Sequence, residues 1–325
     1  MEAGERSSEA CEVRVAGFWR RLAAFLVDVA LLGVVGLLLG MVLHDAFMRL
    51  GVWGRLLGFA IALLYFGVGD SALAGGQTLG KRLLGVRVCD LRGHALPPAR
   101  AVARYVIVGV PYFLDGVPVD WSNYGLAVAL PVGLIVVGLL SCIAYLLVFN
   151  RKTRRSVQDL ATGSVVVRSG NGVLPPVPPL WAGHAVVLAL LLAASAAGPW
   201  LAHREFPFGP LRPLLAMQRG IEAQPGVRFA SVMQGEQNFW SSASGWRAGH
   251  LITTRVLLAG RPPSFDAVAD RAARTVLAAE PNLPADTEVN VIVAYGYDIG
   301  ISSSWRSRQA ARSVAAWRAR LGRGM

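Results

Sequence analysis

The stretch GGQTLGKR, residues 75–82, contains the pattern G-x-x-x-x-G-K, which in a P-loop cradles the phosphates of a nucleotide. A P-loop continues with Ser or Thr, whose hydroxyl binds Mg²⁺, whereas this chain has Arg82 at that position. A P-loop also follows a buried strand, whereas the residues before Gly75 form an apolar run long enough to span a membrane. We therefore predict that this stretch does not bind a nucleotide.

The same stretch predicts a tight turn at the membrane surface. Glycine permits the backbone conformations that such a turn needs, and the two adjacent cations can face anionic headgroups. A ligand-binding turn is the alternative hypothesis. The residues of this predicted interfacial turn are Gln77, Thr78, Gly80, Lys81 and Arg82.

Two ionisable residues, Arg21 and Asp28, lie in the first apolar run of the chain. Their spacing puts both on one face of a helix, about 10 Å apart along its axis. An Asp within a spanning segment is costly and usually faces a partner or a polar pocket. Asp28 is therefore either a cation or proton site, or a structural partner of a cation such as Arg104 or Lys81. The sequence leaves both interpretations open.

The remaining reactive side chains form no recognisable catalytic or metal-binding pattern. The three cysteines, Cys11, Cys89 and Cys142, are too scattered for a disulfide framework or a zinc site, and the five histidines are equally dispersed. The C-terminal part shows no Ser/His/Asp or Cys/His constellation. We predict no metal, no cofactor and no enzymatic activity.

The composition indicates a membrane protein. The 325 residues are 54% hydrophobic and only 16% charged, with a mean hydropathy of +0.47, whereas a soluble domain normally has about 25% charged residues. The elements that position the residues above are therefore expected to be membrane helices. Apolar runs predict about five of them, at residues 18–43, 56–74, 105–119, 124–149 and 180–201.

The orientation follows from the basic loops. Residues 81–104 and 150–168 are rich in Lys and Arg, so both loops are predicted to be cytoplasmic. The chain must then cross the membrane an even number of times between them, which makes the short run 105–119 a crossing. This prediction places the N-terminus, residues 1–17, inside the cell and the C-terminal residues outside. We expect the protein in the plasma membrane, the inner membrane of a bacterium.

The C-terminal part is predicted to be a separate soluble domain. A Gly- and Pro-rich linker at residues 169–179 precedes the last predicted membrane helix, 180–202, and residues 203–325 contain no spanning run. Within this part we predict strands at 251–258 and 289–297 and helices at 264–279 and 305–321. This order indicates a small α/β or α+β domain.

The predicted last helix, 305–321, is strongly basic. A solvated face is the simpler interpretation, and binding to anionic headgroups or to an acidic partner is the alternative. A nucleic-acid partner is not expected for a domain outside the cell. The small-residue pairs Gly36/Gly40 and Gly54/Gly58 predict close packing within the chain, with homo-oligomer formation as the alternative.

Three ordered stretches resemble the motifs of RDD-family membrane proteins, over residues 17–167. They are GFWRRLAAFLVD from Gly17, GGQTLGKRLLGVRVCD from Gly75 and RRSVQDLATGSVVV from Arg154. By this resemblance, the Arg and two Asp that name the family are Arg21, Asp28 and Asp159. Asp70 and Asp90 also lie near family motifs and are alternatives for the second Asp.

The resemblance implies a multi-pass membrane protein, for which transport, including cation/proton exchange, has been proposed in some members. The family's minimal members would lack the C-terminal domain. Two hypotheses follow. The chain either transports a small solute or cation through a pathway that uses Asp28 and Arg21, or it is a membrane anchor or accessory module whose outer domain binds a partner or ligand.

Overall fold

The computed structural model describes residues 13–117, 121–170, 173–205, 212–241 and 245–322. The chain divides into two compact units. We call the first the helical unit; it comprises Met1–Leu38, Arg55–Glu205 and Ile299–Ser302. We call the second the sheet unit; it comprises Leu39–Gly54, Phe206–Asp298 and Ser303–Met325.

The helical elements before the linker are connected by short turns and two short strands. Proline inside a helix removes a backbone donor, and Pro131 accordingly precedes a π-helical stretch, Leu134–Leu139, between two α-helices. The elements are α1 (Phe18–Leu50), α2 (Gly54–Gly69), α3 (Leu79–Leu83), β1 (Val86–Asp90), α4 (Pro98–Leu114), α5 (Trp121–Gly133), α6 (Leu140–Phe149), α7 (Val157–Ala161), β2 (Ser164–Arg168) and α8 (Ala182–Glu205).

Three stretches of the described residues are long and apolar enough to cross a membrane: Phe18–Gly69, Leu126–Phe149 and Ala182–Leu201. The first contains both α1 and α2. These two helices run antiparallel, because the hydroxyl of Tyr65 hydrogen-bonds to Asp28, 37 residues earlier, which a straight helix would place about 55 Å away. The first two predicted membrane helices are therefore present as separate helices.

The predicted crossing at 105–119 differs from the observed element. Helix α4 begins at Pro98 and has 17 residues, so it includes Arg100 and Arg104 and ends at Leu114. It is not one of the three apolar stretches, and residues 118–120 lie outside the described part. That α4 crosses the membrane, and the total of five crossings, stay predictions.

Strands β1 and β2 form a two-stranded antiparallel sheet, which joins the segment after α3 to the segment after α7. One face packs on the helices through Val86, Val88 and Val166. The opposite face packs in a smaller apolar cluster with Val165 and Val167. Neither β1 nor β2 was among the strands predicted above.

The sheet unit contains a four-stranded sheet in the order β3–β4–β5–β6. Strands β4 and β5 are parallel and α10 connects them, whereas the other pairs are antiparallel. This arrangement confirms the predicted combination of a helical membrane part and a soluble α/β domain. The elements are α9 (Arg212–Glu222), β3 (Val227–Ser241), β4 (Gly245–Leu258), α10 (Phe265–Ala279), β5 (Glu288–Asp298), β6 (Ser303–Ser313) and α11 (Val314–Gly322).

One prediction for this unit is wrong. Residues 305–313, predicted as the first half of a helix, form most of β6 and pair with β5. The turn before β6 contains Gly300 with φ of 78°, a conformation that glycine adopts without strain. Of the predicted helix 305–321, only the part in α11 is helical. Its residues Val314, Trp317 and Leu321 are buried.

Candidate polar site in the helical unit

Asp28 lies fully buried in α1 and accepts hydrogen bonds from neutral donors. Oδ1 accepts from the Tyr65 hydroxyl at 2.6 Å and from the Gly80 backbone at 2.7 Å, and Oδ2 accepts from the Thr78 hydroxyl at 2.5 Å. Among the described residues, no ion pair to Asp28 is found. The structural alternative of a direct pair with Arg104 or Lys81 is therefore not what the geometry shows.

The stretch 75–83 forms the predicted tight turn and directs its donors at Asp28. Gly75 and Gly76 both have positive φ, and Thr78 begins α3 as its N-cap by accepting a hydrogen bond from the Lys81 backbone. A Cβ at Gly80 would lie 2.8 Å from Asp28 Oδ1 and closer still to the Ala24 carbonyl. Glycine is therefore required for α3 to approach α1 this closely.

Lys81 was expected to face anionic headgroups, but its side chain lies inside the protein. Its ammonium forms an ion pair with Asp70, and only 12% of the Lys81 side chain is exposed. Burial lowers the pKa of Lys81, while the charge of Asp70 opposes that shift. The cation is thus engaged inside the protein, so it does not face headgroups.

The other residues of the turn have separate roles. Gln77 donates from Nε2 to the Val86 carbonyl and to the Ser169 hydroxyl, both at 2.8 Å, and so fastens the turn to β1 and to the end of β2. Arg82 is exposed and donates to the Ala74 carbonyl at 3.3 Å. Contact of Arg82 with headgroups stays a prediction.

Asp159 is the centre of a buried ion-pair network that joins distant parts of the sequence. Its Oδ1 accepts from Nε and Nη2 of Arg104 at 3.0 and 2.8 Å, and its Oδ2 accepts from Nη2 of Arg21 at 2.7 Å. Arg104 also donates to Asp70 at 2.5 Å, and Asp70 pairs with Lys81. The network therefore runs Arg21–Asp159–Arg104–Asp70–Lys81.

The two carboxylates of this network, Asp70 and Asp159, are buried. Asp159 is 0% exposed and Asp70 is 2% exposed. Burial alone would raise the pKa of Asp159, but Arg104 and Arg21 outweigh it and hold that pKa below its ordinary value. Asp159 also closes a capping box at the start of α7 by accepting from the Ser156 backbone.

A cavity of about 180 Å³ lies beside this network within the helical unit. Its charged lining comes from Arg21, Asp28, Asp70, Lys81 and Arg104, and most of the other lining side chains are apolar. The structure thus brings Arg21 and Asp28 to one cavity without direct contact, as their spacing predicted. Asp159 lies next to the cavity and pairs with two residues of its lining.

Sequence reasoning did not single out Gln158, which also lines the cavity. The residue is 7% exposed, and its Oε1 atom has no hydrogen-bond partner among the described residues. A buried amide without a partner is costly. Its position next to Asp159 in the third motif was the only available signal.

The fold and this site define the class: a multi-pass α-helical membrane protein with an additional soluble α/β domain. Residues 15–163 match the model of the RDD family. The match contains Arg21, Asp28 and Asp159 and confirms the resemblance seen in the three motifs. Comparison with curated proteins and with solved structures gave no significant match.

Proposed function

We propose that the RDD segment transports a small cation or a proton, with Asp28 as the group that exchanges its bound partner during the cycle. The observation that carries this proposal is a charged cavity inside the helical unit that contains a buried carboxylate without an ion pair. Arg21 contributes to the same cavity and is held in place by Asp159. The protein is expected to act in the plasma membrane of a bacterium.

The size of the cavity suits a small substrate. A volume of 180 Å³ corresponds to about six water molecules at their density in the liquid. A partly hydrated monovalent cation or a solute of a few heavy atoms fits this space. The apolar part of the wall, which includes Phe25 and Phe66, limits hydration and strengthens electrostatic interactions inside the cavity.

The hydrogen bonds of Asp28 support exchange. A carboxylate whose donors are a hydroxyl, a phenol and one backbone amide can accept a cation or a proton without breaking an ion pair. Asp70 and Asp159 each have at least one arginine partner. Their neutralisation would strand a buried cation, whereas protonation of Asp28 would not.

A second candidate is an accessory role in which the ion-pair network only stabilises the helical unit. The observation that favours it is that Arg21, Arg104, Lys81, Asp70 and Asp159 are all paired. Residues 203–325 would then bind a protein or ligand outside the cell. Homo-oligomer formation is compatible with either role.

The substitution Asp28→Asn tests the first proposal. Purified protein reconstituted in liposomes is assayed for cation uptake and for the accompanying pH change, with thermal unfolding measured on the same preparation. We expect the flux to fall to the level of empty liposomes, because Asn has nearly the same shape as Asp but has no negative charge and does not take up a proton. Asp45→Asn is the matched control, since Asp45 is exposed on the same helix.

The two candidates give different outcomes. Loss of flux with a melting temperature close to that of the unchanged protein supports transport. Absence of flux in the unchanged protein for all monovalent cations, or full flux in Asp28→Asn, contradicts it. The accessory role predicts that Asp28→Asn mainly lowers stability and abundance.

A further inference from the structure

The face of the β1–β2 sheet that points away from the helices contains an unexplained cation. Strand register places Arg87 opposite Val167 and Cys89 opposite Val165 on this face. Val13 and Leu174 belong to the same apolar cluster. A basic side chain therefore lies in a small apolar layer, where an unpaired charge is costly.

The guanidinium of Arg87 has no counterion among the described residues. No salt bridge or hydrogen bond of this side chain is found there, and its Nε is buried without a partner. Two buried arginines of the helical unit differ from the half-buried Arg87: Arg104 pairs with two carboxylates, and Arg155 donates to the Ser164 and Asp159 carbonyls. The Nε of Arg87 thus lacks a hydrogen-bond acceptor among the described residues.

Arg87 lines a cavity of about 200 Å³ together with Arg92 and His94. No carboxylate belongs to the described lining of this cavity. The nearby carboxylate, Asp90, is already engaged, because Oδ1 accepts from the backbones of Arg92 and His94 at 2.9 and 2.8 Å. Its Oδ2 lies 3.7 Å from Nδ1 of His94. The cavity therefore has basic groups and no described anion to neutralise Arg87.

We propose that this cavity binds an oxyanion, and specifically a phosphate group. The planar guanidinium of arginine binds two oxygens of a phosphate at once, and its bonds to an anion are stronger than bonds to neutral acceptors. A bound phosphate would supply the acceptor that Nε of Arg87 lacks. Arg92 adds a second positive charge from the turn after β1.

The dimensions fit a phosphate group rather than a large ligand. The cavity holds the volume of about six or seven waters, which is enough for a tetrahedral oxyanion of five heavy atoms. The phosphate could be free in solution, as inorganic phosphate or a small phosphorylated molecule, or it could belong to an anionic lipid headgroup. Both sources present the same group to Arg87.

The experiment uses the full-length protein in nanodiscs and separates the two sources. In one arm the nanodiscs contain only phosphatidylcholine, and inorganic phosphate is titrated by calorimetry at constant ionic strength. In the other arm the nanodiscs contain phosphatidylglycerol without added phosphate, and native mass spectrometry counts retained anionic lipid. Arg87→Gln removes the charge, and Arg151→Gln is the control because Arg151 is exposed and outside the cavity.

We expect saturable binding in one of the two arms, weakened about tenfold or more by Arg87→Gln and unchanged by Arg151→Gln, because a charge-assisted bond is lost. Binding in the first arm identifies a soluble phosphate, and binding only in the second identifies a headgroup. Arg87→Lys keeps the positive charge but lacks the planar guanidinium, so it should bind phosphate more weakly than the unchanged protein. This variant tests the proposal if Arg87→Gln does not fold. The proposal is overturned if neither arm shows saturable binding, or if Arg151→Gln weakens binding as much as Arg87→Gln does. It is also overturned if Arg87→Gln does not fold and Arg87→Lys binds as tightly as the unchanged protein.

Discussion

Asp159 shows how a single carboxylate can connect three separate motifs of the sequence. It accepts from Arg21 in α1 and from Arg104 in α4, and it caps α7 through the Ser156 backbone. Breaking a buried ion pair by removing one partner is costly because the other charge stays buried. Asp159 therefore neutralises Arg21 and shares the neutralisation of Arg104 with Asp70.

We predict that Asp159→Asn destabilises the helical unit by about 3–5 kcal/mol at neutral pH, because among the described residues it leaves the buried Arg21 without a carboxylate partner and leaves Arg104 with Asp70 alone. Thermal unfolding in detergent, followed by circular dichroism, measures the effect. Asp115→Asn is the control, since Asp115 is exposed at the end of α4. Equal melting temperatures for Asp159→Asn and the unchanged protein would contradict the structural role.

The same residue gives a pH dependence with a defined sign. The pKa of Asp159 is lowered in the folded protein, so its contribution to stability is complete above its unfolded pKa of about 3.9. The contribution is lost as the pH falls through the lower folded value. We expect the unchanged protein to lose stability on acidification below about pH 4 and the Asp159→Asn protein to lose less of it.

At the scale of elements, local sequence signals were sufficient where one face of the element is buried. A helix was predicted at 264–279, and Ser264 accepts a hydrogen bond from the Ala267 backbone as the N-cap of α10. A strand was also predicted at 289–297, and its alternate residues Val289, Val291 and Val293 are buried in β5. A cap and an alternating pattern are both local in the sequence, so neither element required information about a distant partner.

We predict that Ser264→Ala destabilises the sheet unit by about 1 kcal/mol, because the Ala267 donor loses its acceptor at the first turn of α10. Urea unfolding followed by tryptophan fluorescence measures this loss. Ser307→Ala is the matched control, since Ser307 is exposed on β6. A loss in the control as large as that in Ser264→Ala would show that the cap is not responsible.

Elements that depend on a distant partner were not predictable in this way. The segment 305–313 has the alanine and arginine content of a helix, but it pairs along its length with β5, and backbone hydrogen bonds to that strand outweigh helix propensity. Likewise, Lys81 has a buried partner because the turn returns to the end of α2, where Asp70 lies. Neither contact leaves a periodic signal in the sequence.

At the scale of the whole molecule, the cations and carboxylates of the polar site are equal in number. Arg21, Lys81 and Arg104 provide three cations, and Asp28, Asp70 and Asp159 provide three carboxylates. The motifs predicted Arg21, Asp28 and Asp159, but not that Arg104 links Asp159 to Asp70 and that Asp70 pairs with Lys81. The excess of basic residues in the chain, +12 in total, therefore lies outside this site.

That excess determines the expected orientation in the membrane. The segments 81–104 and 150–168 are basic and short, so they should stay in the cytoplasm. With Leu126–Phe149 and α4 as two crossings between α3 and α7, both segments come to the same side. The stretch Ala182–Leu201 then carries residues 203–325 to the outside.

Reporter fusions test this orientation. A reporter that is active only outside the plasma membrane should be active when fused after Met325 and inactive when fused after Arg168, because one apolar stretch separates the two positions. A reporter active only in the cytoplasm should give the reverse result and serves as the control for expression. If α4 does not cross, the segments 81–104 and 150–168 lie on opposite sides, and a fusion after Leu91 would then differ from the fusion after Arg168. Equal activity at Leu91 and Arg168 is therefore the result that α4 as a crossing requires.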